Sequence, residues 1–336
     1  MYEDEENQLT RNGKAGEQQH PSVNLSKTSL TFLSFLAALI LWTSASEGTL
    51  DWNCFELCLL LFHPCVLLFM YYHLKLHAFV PLDSAICVFA AGFLPGTVLA
   101  LSWEHVSFHV LTQLFGDTSS SLLMGFVFLF LVSYGTTALV EELFKAWTVT
   151  VMSKSMVPLP TLTPRALALA AMILTTSGSA GFACLENLIY FGIPCKLIGV
   201  CSPMRPHVSV QTLMFRTLVP ATLHILCGVM TGVNLSRRRQ RTKTSLPFIF
   251  IIILPSVLCH GTYNLFVHYV TSILSQWIIG VAGLCLTTAV LACCIRQLRR
   301  DLRDRSYDVP SITSSRQVRI GDLHDVLEPV VHVVHV

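Results

Sequence analysis

The chain reads as an all-α protein, a polytopic transmembrane bundle of about eight helices. Three observations predict this. The composition is 53% hydrophobic and only 12% charged, with a mean hydropathy of +0.61, which is the profile of a multi-pass membrane protein. Apolar stretches of spanning length recur at roughly 29–46, 54–74, 84–103, 122–144, 168–192, 208–234, 246–272 and 276–295. The positive charges alternate with them. With the N-terminus inside, the inner segments hold every Lys and Arg except Lys145, Lys196, Arg205 and Arg216. Such a bias orients the bundle with both termini cytosolic.

Taken in order, residues 1–28 are polar and begin with Glu3, Asp4, Glu5 and Glu6. They read as a disordered cytosolic tail, because no basic segment precedes an early apolar core as in a signal peptide. Residues 29–296 form the multi-pass membrane domain, whose first stretch is the weakest, being short and rich in Ser and Thr. The segment from Ser102 to Ser121, with His105, His109 and Asp117, is expected to be an outer loop. Asn24 and Asn234 head N-x-S sequons on the inner side, where glycosylation does not occur. Residues 297–336 form a basic cytosolic tail. This tail and the run Arg237–Lys243 hold the orientation and meet anionic lipid. A net charge of +2 without a basic groove pattern gives no reason to expect nucleic acid. The 12 Cys show no CxxC pair, so neither a zinc finger nor a disulfide framework is indicated. Cys195 and Cys201 flank a short outer loop and are the one pair placed to bridge.

Function is concentrated in polar residues inside apolar runs. An ionisable group at the bilayer centre costs roughly 2.5–3.5 kcal/mol on insertion scales, so each needs a partner or a purpose. The stretch GTTALVEELFK carries Glu141, Glu142 and Lys145. Glu141 and Lys145 are four apart and can pair on one face; Glu142 points about 100° away. A second stretch, SGSAGFACLENLIYF, carries Glu186 and Asn187 after the small residues Ser177–Gly181, which permit close helix approach or a local break. The third, MFRTLVPATLHILCGVMTG, has Arg216, Pro220, His224 and a Gly228/Gly232 ridge. The fourth, LPSVLCHGTYNLFVH, places His260, Asn264 and His268 on one face. Carboxylates and imidazoles are the ligand types of a catalytic zinc ion, and a further Glu can take the proton of a bound water. A proton-relay transporter or a binding scaffold would use the same residue types.

Together, EExxK (Glu141, Glu142, Lys145), FxxxEN (Phe182, Glu186, Asn187), RxxxxxxxH (Arg216, His224) and HGxxN (His260, Asn264) resemble the PrsW family of intramembrane proteases. That family is related to the Abi-type, CAAX-protease-like membrane proteins. Four motifs in order on four helices cover about residues 85–295. The resemblance implies a peptidase that cuts membrane-anchored protein substrates in the lipid bilayer, as bacterial relatives cut an anti-sigma factor. It implies that Glu141 and Glu142 activate water and that Asn264 stabilises the oxyanion. His224, His260 and Glu186 would hold a divalent metal, zinc by the ligand types, with Lys145, Asn187 and Arg216 in support. The same fold without activity is the alternative, as an inactive relative, a transporter or a scaffold. Counting 1.5 Å per residue places Glu141 toward the cytosolic half, His224 and His260 near mid-depth and Glu186 toward the outer half. Tilt, or a break at the Gly/Ser stretch, is expected to bring them together.

Overall fold

The computed structural model of the chain describes residues 25–45, 50–74, 76–78, 80–116, 122–155, 164–190, 215–238, 246–270 and 276–307. Helix dominates the described residues, and no strand occurs among them. They form eight helical rods. The first are α1 (Lys27–Ala45) and α2 (Leu50–His73). Rod α3 (Leu82–Phe115) joins two α-helical pieces, Leu82–Ala91 and Thr97–Phe115, through a π turn at Gly92–Gly96. Rod α4 starts as Leu122–Phe130, passes through a π stretch at Leu131–Ala138 and continues as Leu139–Ser155. Then come α5 (Pro164–Tyr190), α6 (Pro220–Arg238), α7 (Leu246–Val270) and α8 (Gln276–Tyr307). Five rods, α3 to α7, are long and apolar enough to cross a membrane. The protein is therefore an integral membrane protein with an all-α bundle, as its apolar pattern predicts.

Rod α5 is the axis of the bundle. Its spanning window is 94% buried, against 22% for α4. Small residues explain how neighbours come so close. A Cβ on Gly181 would run into the carbonyl of Phe89, and one on Gly92 into the carbonyl of Gly178. From the other side, Gly228 and Gly232 of α6 lie against Ser179, Thr175 and Met172 of α5. The stretch Ser177–Gly181 is thus a continuous helix used for close approach, and no break occurs there. Rod α4 instead lies toward the rim. Leu122 and Leu123 are exposed, as are Trp103, Val106 and Leu114 of α3, which suits contact with acyl chains.

Two further ties fix the periphery. Asp83 Oδ1 accepts hydrogen bonds from the Ser26 N–H and Oγ, each 2.8 Å, and so pins the start of α1 to α3. His63 of α2, buried, meets Thr222 Oγ1 of α6 at 3.3 Å.

The C-terminal end of α3 departs from the sequence expectation. Residues 102–115 continue the helix and do not form a loop. The rod stops at Gly116, whose φ of 59° lies in the region glycine tolerates, with its N–H donating to Thr112 O. The Asn234 side chain donates to Ile252 O at 3.2 Å, so this sequon residue sits within a helix contact. Asn24, Cys195, Cys201 and residues 1–24 and 308–336 lie outside the described residues, while α8 runs on into the basic tail as far as Tyr307.

Candidate active site

Four rods converge on one buried cluster. Rod α4 supplies Glu141, Glu142 and Lys145 just after its π stretch. There the Leu139 N–H reaches back five residues to Tyr134 O, which rotates the following turn relative to a regular helix. Tyr134 packs on Gly261, where any Cβ would strike its ring, and its hydroxyl bonds Thr262 Oγ1 at 2.7 Å. The glycine of the HGxxN motif therefore sets how closely α7 approaches α4.

Lys145 is the hub. Its ammonium donates to Glu142 Oε1 at 2.8 Å, to Glu141 Oε2 at 3.2 Å and to His224 Nδ1 at 2.7 Å. The expected Glu141–Lys145 pair is present. Glu142 is not left pointing away from it: at three residues' spacing it reaches the same ammonium, and it is 1% exposed. The Phe182 ring lies under Lys145 Nζ at 4.4 Å and beside the His224 ring. That gives the Phe of FxxxEN a physical role, since a ring face attracts a desolvated cation.

The hydrogen bonds assign the imidazole tautomers. An ammonium can only donate, so His224 Nδ1 accepts from Lys145 and the ring proton sits on Nε2. Nε2 then donates to Glu186 Oε2 at 2.8 Å. Glu186 Oε1 is taken by Arg216 Nη2 at 2.9 Å, with Asn187 Oδ1 accepting from Arg216 Nε at 3.4 Å. The Arg216 guanidinium also stacks on the Tyr190 ring, 3.3 Å from its centroid. On α7, His260 Nδ1 faces Glu142 Oε1 at 3.2 Å, an acceptor, so Nδ1 carries the proton. The remaining lone pair, on Nε2, faces Glu141 Oε2 at 4.0 Å.

Ligand atoms of Glu141, His224 and His260 all lie within 4.8 Å of one another, and all three residues are buried. Each imidazole is held on its other nitrogen by a carboxylate, Glu186 for His224 and Glu142 for His260, an arrangement that orients metal-binding histidines. The charges agree: three carboxylates face two cations, Lys145 and Arg216. The donor set and the charge both fit a divalent ion. Lys145 Nζ is bonded to two of the three candidate ligands, so an ion binding there would compete with it.

The depth mismatch inferred from counting is resolved without a broken helix. The π stretch of α4 and the bond from His224 Nε2 to Glu186 link the levels. Asn264 lies one turn beyond His260 on the same rod, half-buried. One residue escaped the sequence reading. Glu104, assigned there to a loop, sits on α3 one turn after the buried Ala100, with its Oε1 buried. Ala100 itself packs on Val140 and Phe182. The signal was available: Thr97, Ala100 and Glu104 fall on one helical face.

The model of the PrsW family intramembrane metalloprotease matches residues 80–293 of this chain. The chain belongs to the PrsW family. The PrsW match includes all four motifs and the rods that bring them together, α3 to α7, while α1 and α2 precede it. Among curated proteins, Protease PrsW of Bacillus subtilis (strain 168) is 32% identical over 103 residues, which are 30% of this chain and 39% of that protein. The chain thus spans well under half the length of that PrsW relative. No solved structure matches the chain.

Proposed function

We infer that the protein is an intramembrane peptidase that hydrolyses peptide bonds of membrane-anchored proteins. The observation that carries this reading is the Glu141–His224–His260 triangle, each imidazole held from behind by a carboxylate, in a chain of a metalloprotease family. Glu141 Oε2, His224 Nδ1 and His260 Nε2 would hold zinc. Glu186 suits the third-ligand role less well, because its two oxygens already serve Arg216 and His224 Nε2. Its part is to keep the His224 ring oriented. A zinc ion so held would supply Lewis acidity, drawing the pKa of a bound water down toward about 7 and polarising the scissile carbonyl.

The chain's own residues account for the remaining steps. Glu142 takes the proton of the attacking water as the oxygen–carbon bond forms, and later returns it to the leaving nitrogen as the carbon–nitrogen bond breaks. Asn264, one turn from His260, donates its amide N–H to the oxyanion. Lys145, held over Phe182, balances the carboxylates through the cycle. The buried setting strengthens each of these interactions by excluding bulk water.

The test is cleavage of single-span substrates by the purified protein, with and without chelator, and metal stoichiometry by elemental analysis. Wild type should cut and should hold about one zinc per chain. His224→Ala and His260→Ala should lose metal and activity together. Full activity with substoichiometric metal would end the zinc reading and leave peptidase activity standing. The absence of cleavage with any substrate would sink the peptidase reading itself.

The same reading places both termini in the cytosol, on the distribution of Lys and Arg. Tags at either terminus should resist protease in sealed cells, and cleavage sites inserted at 117–121 or 193–207 should be cut. A terminus reached from outside would overturn this orientation.

A further inference from the structure

Exposure within the polar cluster rises toward one edge. The side chains of Glu141, Glu142, Lys145, His224 and His260 are at most 4% exposed, whereas Glu186 is 13% and Arg216 16% exposed. Three contacts fix the Arg216 guanidinium there. Nη2 donates to Glu186 Oε1 at 2.9 Å, Nε donates to Asn187 Oδ1 at 3.4 Å, and one face lies on the Tyr190 ring, 3.3 Å from its centroid. Asn187 is buried and Tyr190 is exposed. A guanidinium carries five N–H groups, arranged as forks in one plane. Glu186 and Asn187 take the fork formed by Nε and Nη2. The fork at the far end, formed by Nη1 and the second N–H of Nη2, has no partner among the described residues. Holding Glu186 needs a single N–H; the second planar fork is what an arginine adds.

Tyr190 ends the apolar window of α5, and Arg216 stands at the start of the window that leads into α6. Both lie at one rim of the membrane, and Arg216 is about 12 Å from His224 along the helix axis at 1.5 Å per residue. Its side chain reaches back inward to Glu186, which itself bonds His224. Two bonds of 2.8 and 2.9 Å flank that one carboxylate, so the guanidinium lies no more than about 8 Å from His224 Nε2. We propose that the free fork of Arg216 binds a carboxylate of the substrate, an Asp or Glu side chain about two or three residues from the scissile bond at about 3.3 Å per extended residue. That residue lies on the side of the membrane where α5 ends and α6 begins. The proposal rests on the peptidase reading above. Two parallel N–H groups match the two oxygens of a carboxylate, a partner such a fork holds strongly. An acidic residue just outside a substrate's apolar span sits at the rim where Arg216 sits, so the pairing requires no deep burial of a charge. A lipid phosphate also suits a guanidinium fork. This guanidinium, however, is joined through Glu186 to His224, which favours a group that belongs to the bound peptide.

The probes are pairs of single-span peptides that differ only in Glu or Gln, scanned across the residues flanking the apolar span. With wild type, the best Glu peptide should be cut with a kcat/KM about 10–100-fold above its Gln partner, the range a hydrogen bond to a charged group contributes. Binding then separates this role from mere support of Glu186. It is read by fluorescence anisotropy in maltoside micelles, with Glu142→Gln in every protein so that bound peptide stays whole. Adding Glu186→Gln keeps an acceptor for His224 Nε2 and leaves Arg216 in place, and the preference for the Glu peptide should persist. Adding Arg216→Met to that protein leaves no unpaired carboxylate behind and should bring the two affinities together. Should this variant fail to accumulate, Arg216→Gln on the same background takes its place with the same expectation. A preference that survives the loss of Arg216 would overturn the proposal, as would a wild type that cuts both peptides alike; either leaves the peptidase reading standing. Equal peptide affinities together with Arg216-dependent binding of phosphatidylglycerol would overturn it in favour of a lipid headgroup. A wild type that cuts no single-span substrate would remove it together with the peptidase reading.

Discussion

Glu142→Gln is expected to lower the rate of substrate cleavage by about 10²–10⁴-fold, the range general-base catalysis contributes, with metal content and thermal midpoint close to wild type. The reason is geometric. Glu142 Oε1 accepts from Lys145 at 2.8 Å and from the proton on His260 Nδ1 at 3.2 Å. The amide oxygen of Gln accepts both, so the buried network survives and His260 stays oriented. What the amide lacks is the capacity to take a proton from water. Cleavage rate, zinc per chain and melting are measured on one preparation. Loss of zinc in this variant would mean that Glu142 acts through His260 or the metal; unchanged cleavage would remove it from the chemistry.

The second large effect is on stability. Lys145→Met should destabilise the metal-free protein by about 3–5 kcal/mol, the usual cost of removing one partner from a buried ion pair. Lys145 is 4% exposed, and its ammonium faces Glu141, Glu142 and His224 at once. Without it, two adjacent carboxylates lose their shared counter-charge in a site closed to solvent. Saturating zinc should restore much of the loss, because a cation that binds only the folded state stabilises it by mass action. Zinc should also bind the variant at least as tightly as wild type, since no ammonium competes for His224 Nδ1. Thermal melts with and without zinc decide this. A variant as stable as wild type without metal, or one that zinc does not rescue, would show that Lys145 and the ion do not occupy overlapping ground.

The motif helices were legible because their signals are local. Apolar length located α5 and α7 to within a few residues, and Lys and Arg marked the ends of the rods. The Glu141–Lys145 pair followed from spacing alone. The orientation of Glu142 was not legible in the same way. A 100° offset is correct for the backbone, but a Glu side chain three residues before a Lys can still reach it, and Phe182 holds that Lys in place. The C-terminal half of α3 was obscured by its own composition. Ser102, Glu104, His105 and His109 resemble a loop, whereas the actual stop, Gly116, comes only after Phe115. Losing that half of the rod also hid Glu104. Which residue plays which catalytic part was not readable from spacing, because Glu141 and Glu186 offer the same chemistry. Only the hydrogen bonds around His224 separate the face toward Glu141 from the face toward Glu186.

The wide turns in α3 and α4 decide which face the residues beyond them present. In α3 the cause is visible: Pro95 has no N–H to offer Ala91 O, and the Thr97 N–H reaches five residues back to Gly92 O, which also accepts the Thr97 hydroxyl at 2.8 Å. In α4, Leu139 bonds five residues back to Tyr134, so this turn holds one more residue than a regular one. If the same residues closed up into an ordinary α-helix with none removed, every residue beyond would turn by about 100°. Glu141, Glu142 and Lys145 would then swing away from His224 and His260 with their own sequence unchanged. Deleting one residue between Leu131 and Ala138 has the opposite result, because a regular turn then spans the angle that the wide one spans now, and the site residues keep their face. A relative with one residue fewer before an intact EExxK can thus hold the same alignment without a wide turn, whereas one with the same spacing and a regular helix has the parts without their alignment.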